Sequence, residues 1–398
     1  MDPQGVSSSL CQGCSLYCDR AVVTAPCSRE LQFQTLHGTS QELQPRIFGK
    51  EVDWNEALDE AVRVLRASRY TLLTGGMRDV ETSRLALRLA REVHAVVDAW
   101  DSDPAFRYFQ VMQRRGMIQT TLAETRERCN LLVIIGDDRL LEEYPLLPER
   151  LSLQCSDSQT LLLGDWSEEA RQRFEQAGHQ ALAIRSDWKK LPLSLLIQDA
   201  FEGPRHWLGE DRQWVVAWSM RQLGQWDGVE NWMERLAEFL MRRNQRVRCA
   251  ALPLMGNHAT FHQVCTWTTG FPGRIRFQDA GPLYDPHRLS ANKQGTAHER
   301  LDTLIWIDDQ IPSTLPPCVA DDWIVMSPRV PEASSPVRVW IPHHPQQRCG
   351  NSQFFRCDLG QMLSIESLAG EKSQADVDSA RSGLESLVRR LEGDSKIS

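Results

Sequence analysis

The sequence predicts an α/β protein with several lobes, in which parallel or mixed sheets are covered by helices. Short, continuously apolar runs alternate with amphipathic helical patterns along most of the 398 residues. Continuous apolar strands are buried on both faces, which is typical of parallel sheets with helical crossovers. Several runs end in glycine, as at Gly75-Gly76 and Gly136, the position where parallel sheets bind ligands. The chain is long enough to bury more than one core.

The first helices and strands are indicated one by one. Asp53 has the form of a helix N-cap, with Glu56 three residues later, and apolar residues then recur on one face as far as about Ser68. The following patterns predict a strand over 70–74, a helix over 79–92 and a strand over 94–97. Further strands are predicted over 131–135, 160–163 and 181–184.

The second half predicts a tryptophan-rich helical region and then another set of strands. We assign its tryptophans to helix packing: Trp207, Trp214, Trp218, Trp226 and Trp232. Strands are predicted over 247–254, 301–307, 323–326 and 337–341. A helical stripe from 374 to 391 is suited to dock on its own protein or on a partner.

These patterns divide the chain into five parts. The predicted parts are a cysteine-cluster segment over 1–48, a first α/β lobe over 49–190, a helical region over 191–245, a second α/β lobe over 246–372, and a C-terminal helix and tail over 373–398.

Composition indicates a cytoplasmic protein that binds neither nucleic acid nor membrane. Lys and Arg number 45 against 53 Asp and Glu, which gives a net charge of −8. There is no basic run to neutralise a row of phosphates, and no apolar stretch approaches the roughly 20 residues that span a bilayer. Reducing conditions in the cytoplasm make clustered cysteines more typical of metal ligands than of disulfides.

Four of the eleven cysteines lie together near the start of the chain. Cys11, Cys14 and Cys18 have the spacing Cys-x2-Cys-x3-Cys, and Cys27 follows after eight residues. Four thiolates at such spacings bind either a [4Fe–4S] cluster or a tetrahedral zinc ion. The alternative is four unrelated reduced cysteines in a flexible leader.

No self-sufficient hydrolase site is recognisable. The sequence contains neither a G-x-S-x-G motif nor a metal-binding His-x-His pair. His258 and His262 are four residues apart and would share one helix face, but no acidic residue accompanies them, so packing or capping is the favoured interpretation.

Two longer stretches carry a family resemblance. One is Gln113-Arg114-Arg115-Gly116, which leads into the predicted strand over 131–135. The other contains a Thr-Trp-x-Thr-Gly-x-Pro and a Gly-Pro-x-Tyr-x-Pro combination, with the marker residues Gly256, Asn257, Thr266, Trp267, Gly270, Pro272, Gly281, Pro282 and Tyr284. With the four cysteines, these stretches resemble the B subunit of formylmethanofuran dehydrogenase, a branch of the molybdopterin oxidoreductases.

The resemblance implies a multi-lobed α/β protein that holds a tungsten or molybdenum bis-pterin fed by an N-terminal [4Fe–4S] cluster. In that family, a cysteine or selenocysteine metal ligand lies shortly before the segment matching Gln113. Here the segment reads DSDPAFRYFQVMQRRG and has no cysteine. We therefore expect the architecture to be a degenerate molybdopterin-oxidoreductase fold without the tungsten or molybdenum pterin.

This departure points to the bacterial relatives of the dehydrogenase protein, which belong to the formyltransferase/hydrolase complex. The resemblance then implies a non-catalytic scaffold, with hydrolysis assigned to a partner, the amidohydrolase-like A subunit. The marker residues become a vestigial pterin-lobe motif, and the four cysteines bind a structural [4Fe–4S] cluster or zinc. The alternative is a catalytic tungsten or molybdenum protein, with Asp101 or Asp103 as the metal ligand. A third interpretation is a stand-alone binding or electron-transfer protein.

Overall fold

Two separate sheets with parallel centres organise the protein. The computed structural model describes residues 10–11, 13–19, 26–37, 44–185, 212–224, 226–294, 300–307, 319–328, 330–331, 337–342, 352–365 and 374–395. The helices are α1 (Ser28–His37), α2 (Trp54–Ala67), α3 (Val80–Glu92), α4 (Asp103–Arg115), α5 (Leu122–Arg128), α6 (Arg139–Glu143), α7 (Leu147–Arg150), α8 (Glu168–Gln176), α9 (Met220–Leu223), α10 (Val229–Arg243), α11 (Ala259–Thr269) and α12 (Gln374–Ser395). None of the helices in these ranges has the length and apolar character needed to cross a membrane.

The strands are short, as is usual in α/β proteins. They are β1 (Arg46–Ile47), β2 (Lys50–Glu51), β3 (Thr71–Gly75), β4 (Val96–Val97), β5 (Leu131–Asp137), β6 (Gln159–Asp165), β7 (Ala181–Arg185), β8 (Trp214–Ser219), β9 (Cys249–Leu254), β10 (Ile275–Gln278), β11 (Gly281–Tyr284), β12 (Leu301–Ile307), β13 (Ala320–Ser327), β14 (Val337–Pro342), β15 (Ser352–Phe355) and β16 (Met362–Ile365).

The larger sheet has nine strands in the order β11-β10-β4-β3-β12-β13-β14-β1-β2. Its centre, from β4 to β14, is parallel, and an antiparallel hairpin closes each edge. The smaller sheet has five strands, all parallel, in the order β7-β6-β5-β8-β9. β15 and β16 form a separate antiparallel hairpin. The predicted α/β class with parallel and mixed sheets is confirmed.

Local sequence explains the first helices. The Asp53 side chain accepts a hydrogen bond of 3.0 Å from the Glu56 backbone N–H at the start of α2, and Asp79 accepts one of 2.9 Å from Thr82 at the start of α3. These bonds satisfy backbone donors that have no partner inside the helix. Both helices begin and end within a residue or two of their predicted bounds.

The tryptophan-rich region is not wholly helical, which corrects the prediction for 191–245. Trp214 and Trp218 lie on β8, whose six residues are all buried. A strand at the centre of a parallel sheet is covered on both faces, so its apolar run shows no alternation and resembles a buried helix in sequence. Trp232 does lie on a helix, α10, and packs edge-on against Trp218 with ring centroids 5.7 Å apart. Trp207 lies outside the described residues.

The two sheets also do not follow the predicted division into successive lobes. β3 and β4 belong to the larger sheet, whereas β5, β6 and β7, from the same predicted lobe, belong to the smaller one. The second predicted lobe is split in the same way, since β9 joins the smaller sheet and β12 the larger. The reason is that parallel pairing joins distant segments: Thr71 of β3 is in register with Thr303 of β12.

The C-terminal helix docks on its own protein. Leu384, Leu387, Val388 and Leu391 are buried in a core shared with α2 and α3. Arg88 of α3 makes a bidentate ion pair with Glu392, at 2.7 and 2.9 Å. Of the two sites proposed for the tail stripe, the described part of α12 uses the intramolecular one.

Replacing Leu387 by alanine tests this docking. Leu387 is fully buried, so the cavity left behind should lower the free energy of unfolding by about 2–5 kcal/mol. Arg389→Ala is the control, because Arg389 is exposed and pairs with Glu385 on the same helix; its loss should cost less than about 1 kcal/mol. Equal losses in urea titrations of the two variants would contradict the docking.

Candidate functional site

A cavity of about 330 Å³ lies where the carboxyl ends of the two parallel sheets meet. In the larger sheet the chain passes from β3 to β4 on one side and returns at β12 on the other side of β3. Gly75 and Gly76 at the end of β3, and Trp306 near the end of β12, face the cavity. The cavity therefore lies at the topological switch point of this sheet, where open α/β sheets bind ligands.

The smaller sheet presents its own switch point to the same cavity. β5 is followed on one side by β6 and β7, while β8 and β9 lie on its other side. Glu143 and Tyr144, after β5, and Met220 and Arg221, after β8, line the cavity. Two independent switch points thus converge on one volume.

Glycine is required at the end of β3. Gly75 has φ +136°, and a Cβ atom there would lie 1.9 Å from the carbonyl oxygen of Ile307 in the neighbouring strand. The Gly75 carbonyl accepts a hydrogen bond from the Trp100 N–H, and the Gly76 N–H donates to the Ile307 carbonyl. These contacts hold the backbone that forms one wall of the cavity.

The cavity wall carries both charges, with arginine in excess. Arg29, Arg78 and Arg221 line it, together with the carboxyl groups of Asp101 and Glu143. Asp101 and Arg221 form an ion pair at 3.6 Å. Glu143 accepts a hydrogen bond of 2.6 Å from Ser219, and burial raises the pKa of its carboxyl group.

Three further polar atoms on the wall are buried without a hydrogen bond of normal geometry. They are Ser15 Oγ, the Tyr144 hydroxyl and His258 Nδ1. Burial lowers the pKa of His258, and the neighbouring His262 and Arg78 lower it further, so this imidazole is neutral at physiological pH. The wall therefore offers hydroxyl groups and a neutral imidazole beside the guanidinium groups.

The cysteine segment forms one side of the cavity. Gly13, Cys14 and Ser15 line it, and Cys11, Cys14 and Cys18 are buried in the core beside the smaller sheet. The Cys11 N–H donates to the Cys18 carbonyl at 2.8 Å, which closes the segment into a loop.

The four predicted metal ligands occupy one region of the structure. A hydrogen bond between the thiols of Cys11 and Cys27 raises the pKa of Cys11 and lowers that of Cys27, and Cys27 also interacts electrostatically with Cys14 and Cys18. Burial raises the pKa of Cys14 to about 11 and that of Cys18 to about 12. The donor chemistry suits a thiophilic ion. However, no three His, Cys, Asp or Glu side chains of the described residues are arranged to bind one. The metal site stays a prediction.

The turn between β15 and β16 fastens the cysteine loop to the body, a role that sequence inspection missed. The Cys357 N–H donates to the Ser15 carbonyl at 3.0 Å, and the Cys357 carbonyl accepts from the N–H of Met255 at the end of β9. Asp358 accepts a hydrogen bond of 2.7 Å from the N–H of Leu122, and it also pairs with the buried Arg356. A short Arg-Cys-Asp run has no sequence signature of its own, because its partners are distant in the chain.

The nine marker residues are divided between the cavity and its surroundings. Gly256 and Asn257 line the cavity, and Asn257 Oδ1 accepts a hydrogen bond of 3.1 Å from Arg78. Gly270 ends α11 at φ +86°, and the Pro272 carbonyl hydrogen-bonds to the buried His262 ring at 2.6 Å.

The other marker residues do not reach the cavity wall. Thr266 donates to the carbonyl of His262 within α11, and Trp267 is 53% exposed and contacts Phe355. Gly281, Pro282 and Tyr284 form the edge strand β11, where Tyr284 stacks on Phe271 at 4.6 Å.

Arg274, next to these markers, shapes the segment that follows β4. Its guanidinium group is buried between Asp98 and Asp103 and lies 3.9 Å from the centre of the Phe106 ring. Asp98 is fully buried, and burial raises its pKa to about 6 despite the neighbouring arginine. This network fixes the start of α4, and with it the position of Asp101.

The chain is similar to known proteins both in sequence and in fold. No family model matches the sequence. Over 280 residues the chain is 26% identical to the B subunit of the formyltransferase/hydrolase complex Fhc of Methylorubrum extorquens, covering 65% of this chain and 73% of that protein. A chain in the crystal structure of the formyltransferase/hydrolase complex (FhcABCD) of the same organism, in complex with methylofuran, superposes with a TM-score of 0.71 at 20% identity, over 89% of this chain and 100% of that chain.

The predicted resemblance to this group of B subunits is confirmed. The B subunits of two tungsten-containing formylmethanofuran dehydrogenases 2, from Methanococcus maripaludis and Methanocaldococcus jannaschii, are 21% and 22% identical over 266 and 272 residues. The chain spans 61% of the length of each of these dehydrogenase proteins.

The segment that carries the metal-ligand cysteine in the dehydrogenase pattern folds here as α4 and the turn before it. Asp103 receives hydrogen bonds from Arg274, Ser290 and Asn292, which hold the pKa of its carboxyl group below the usual value. That carboxylate is engaged in the structure of the protein and does not line the cavity. Asp101, which has φ +58°, is the aspartate of this segment that does face it.

Replacing Gly75 by alanine tests the built wall of the cavity. The clash with Ile307 and the positive φ should together lower the free energy of unfolding by about 2–5 kcal/mol. In the control Gly116→Ala, φ is also positive at +74° but no atom lies within 4 Å, so only backbone strain of about 1–2 kcal/mol remains. Denaturant unfolding measures both values, and similar losses would show that the close approach of β3 and β12 is not needed.

Proposed function

We propose that this chain is the non-catalytic B subunit, a scaffold, of a formyltransferase/hydrolase complex in one-carbon oxidation. In the proposed reaction, formyl groups carried by tetrahydromethanopterin pass to a methanofuran analogue and are released as formate. A partner chain of the amidohydrolase type performs the hydrolysis, and this chain supports it.

The observation that carries the proposal is the composition of the segment at 101–116. A metal-binding protein of the dehydrogenase type needs a cysteine or selenocysteine there, and this segment has neither. Its two aspartates are not equivalent substitutes, because Asp103 is held by Arg274, Ser290 and Asn292. The size of the cavity supports the same conclusion, since about 330 Å³ suits one small ligand and a bis-pterin carries two bulky ring systems.

The assembly is tested by purifying the tagged chain, without oxygen, from its native host. We expect an amidohydrolase-like protein to co-purify, and the preparation to release formate from a formylated carrier. Tungsten and molybdenum, measured by elemental analysis, should stay well below one atom per chain. One tungsten or molybdenum per chain would favour the dehydrogenase alternative, and a chain isolated without other subunits would favour a stand-alone protein.

An Asp101→Asn variant sharpens this test. Asparagine has nearly the same shape as aspartate but is a poor ligand for a high-valent metal. A scaffold should tolerate the change, with formate release within about twofold of the unmodified complex. If Asp101 were the metal ligand of a redox enzyme, the variant would lose both metal and activity.

We also propose that Cys11, Cys14, Cys18 and Cys27 bind a structural [4Fe–4S] cluster or zinc ion. Their common location and the burial of three of them support the proposal. Binding would require the four sulfur atoms to move closer together than they lie in the structure. An ion at this place would couple the leader to the core through metal-dependent folding.

Removal of two ligands tests the metal proposal. The variant Cys11→Ser/Cys14→Ser should lose iron or zinc and unfold at a lower temperature, because the N-terminal segment loses its cross-link. Cys155→Ser is the matched control: its thiol lies outside the cluster, where it contacts the Glu127 carbonyl. Unchanged metal content and stability in the double variant would contradict a structural metal.

A further inference from the structure

We propose that the cavity between the two sheets binds a small organic anion that carries two or more negative charges, either a polycarboxylate or a phosphate ester. The scaffold role requires no ligand in this chain, so the inference goes beyond the proposed function and does not depend on it.

The size and position of the cavity indicate a site for one small molecule. A volume of about 330 Å³ lies at the lower end of the range for ligand pockets in proteins, about 300–1,000 Å³. The cavity is formed at two switch points together, and its wall is held by backbone hydrogen bonds on both strands beside Gly75. Such a wall is preformed, so little ordering of the protein opposes binding.

The charge of the wall selects an anion. The guanidinium groups come from three separate places: Arg29 from α1, Arg78 from the turn before α3, and Arg221 from α9. Only two carboxyl groups, Asp101 and Glu143, accompany them among the described lining residues. This local excess of positive charge stands out in a protein whose net charge is −8, and a concave site focuses such a field on its ligand.

The buried polar atoms indicate that the anion has several oxygen atoms. Ser15 Oγ and the Tyr144 hydroxyl are on residues that are only 1% exposed, and neither makes a hydrogen bond of normal geometry. A buried polar group left in this way costs about 1–3 kcal/mol. Carboxylate and phosphate oxygens accept hydrogen bonds from hydroxyl groups and form bidentate pairs with arginine, so one ligand would satisfy both kinds of group.

Arg78 is held in place for such a role. It is 4% exposed, and its guanidinium group donates to Asn257 Oδ1 at 3.1 Å and lies 5.9 Å from the centre of the Tyr17 ring. Arg221 is different, since its side chain is 63% exposed and pairs with Asp101. Arg78 is therefore a fixed donor, while Arg221 is able to turn from Asp101 to a ligand.

The experiment is calorimetric titration of the full chain at low ionic strength with four probes. Citrate represents polycarboxylates, glycerol 3-phosphate represents phosphate esters, and glycerol and acetamide are neutral controls. We expect saturable binding of citrate or glycerol 3-phosphate with one site per chain, and no binding of the neutral probes. Binding of one probe alone identifies the class of anion.

Variants of the wall should change the affinity in opposite directions. Arg78→Gln and Arg221→Gln should each weaken binding about tenfold or more, because each removes a charge-assisted pair. Asp101→Asn should strengthen it several-fold, because it removes a negative charge and releases Arg221. Arg242→Gln is the control: Arg242 is an exposed arginine on α10, away from the cavity, and its loss should leave the affinity unchanged.

Two results would overturn the proposal. One is the absence of saturable binding of either anion at millimolar concentration to the folded chain. The other is binding that Arg221→Gln leaves unchanged or that Arg242→Gln weakens equally, which would indicate non-specific attraction to the surface. Arg221 is largely exposed, so this variant keeps the test valid even if Arg78→Gln does not fold. The readout is affinity rather than formate release, so failure here is distinguishable from failure of the proposed function.

Discussion

The arrangement of the site depends on two parallel sheets whose carboxyl ends face one another. Each sheet leaves a gap beside the strand where its order reverses, between β3 and β12 in one sheet and between β5 and β8 in the other. Neither gap is deep enough to enclose a ligand alone. Their juxtaposition, closed by the cysteine loop and α1, produces one lined cavity. The peptide of Cys357 joins this loop to β9 by hydrogen bonds in both directions, so loop and sheet are held in one arrangement.

The buried group of Asp98, Arg274 and Asp103 shows what the structure maintains at a cost. Removing charges from water is expensive, and burial raises the pKa of Asp98 to about 6 even beside a cation. A pair of apolar side chains could fill the same space. The ionic group instead fixes the first turn of α4 and the direction of Asp101 toward the cavity. The segment that lacks a ligand cysteine is thus as rigidly positioned as a binding segment would be.

Proposed function and structure are connected through what the marker residues do. Only Gly256 and Asn257 reach the cavity, whereas Gly270, Pro272 and Tyr284 organise α11 and the β10–β11 hairpin around it. A motif can therefore persist because it supports the fold, after the group that the fold once held is gone. This distinction explains how a chain that resembles a redox protein can serve a complex without performing redox chemistry.

The sequence by itself determined the α/β class, the capped helices α2 and α3, most central strands and the family resemblance. These features depend on local periodicity, on single capping residues such as Asp53 and Asp79, and on motifs contiguous in the chain. Only the tertiary structure decided that Trp214 and Trp218 lie on a strand, since a strand buried on both faces has the same apolar run as a buried helix. Only it decided which strands share a sheet, because parallel pairing joins residues more than 200 positions apart, as with Thr71 and Thr303. The cavity belongs to the same class: its wall comes from many separate segments, and no local pattern records that Arg78, Glu143 and Arg221 face one another.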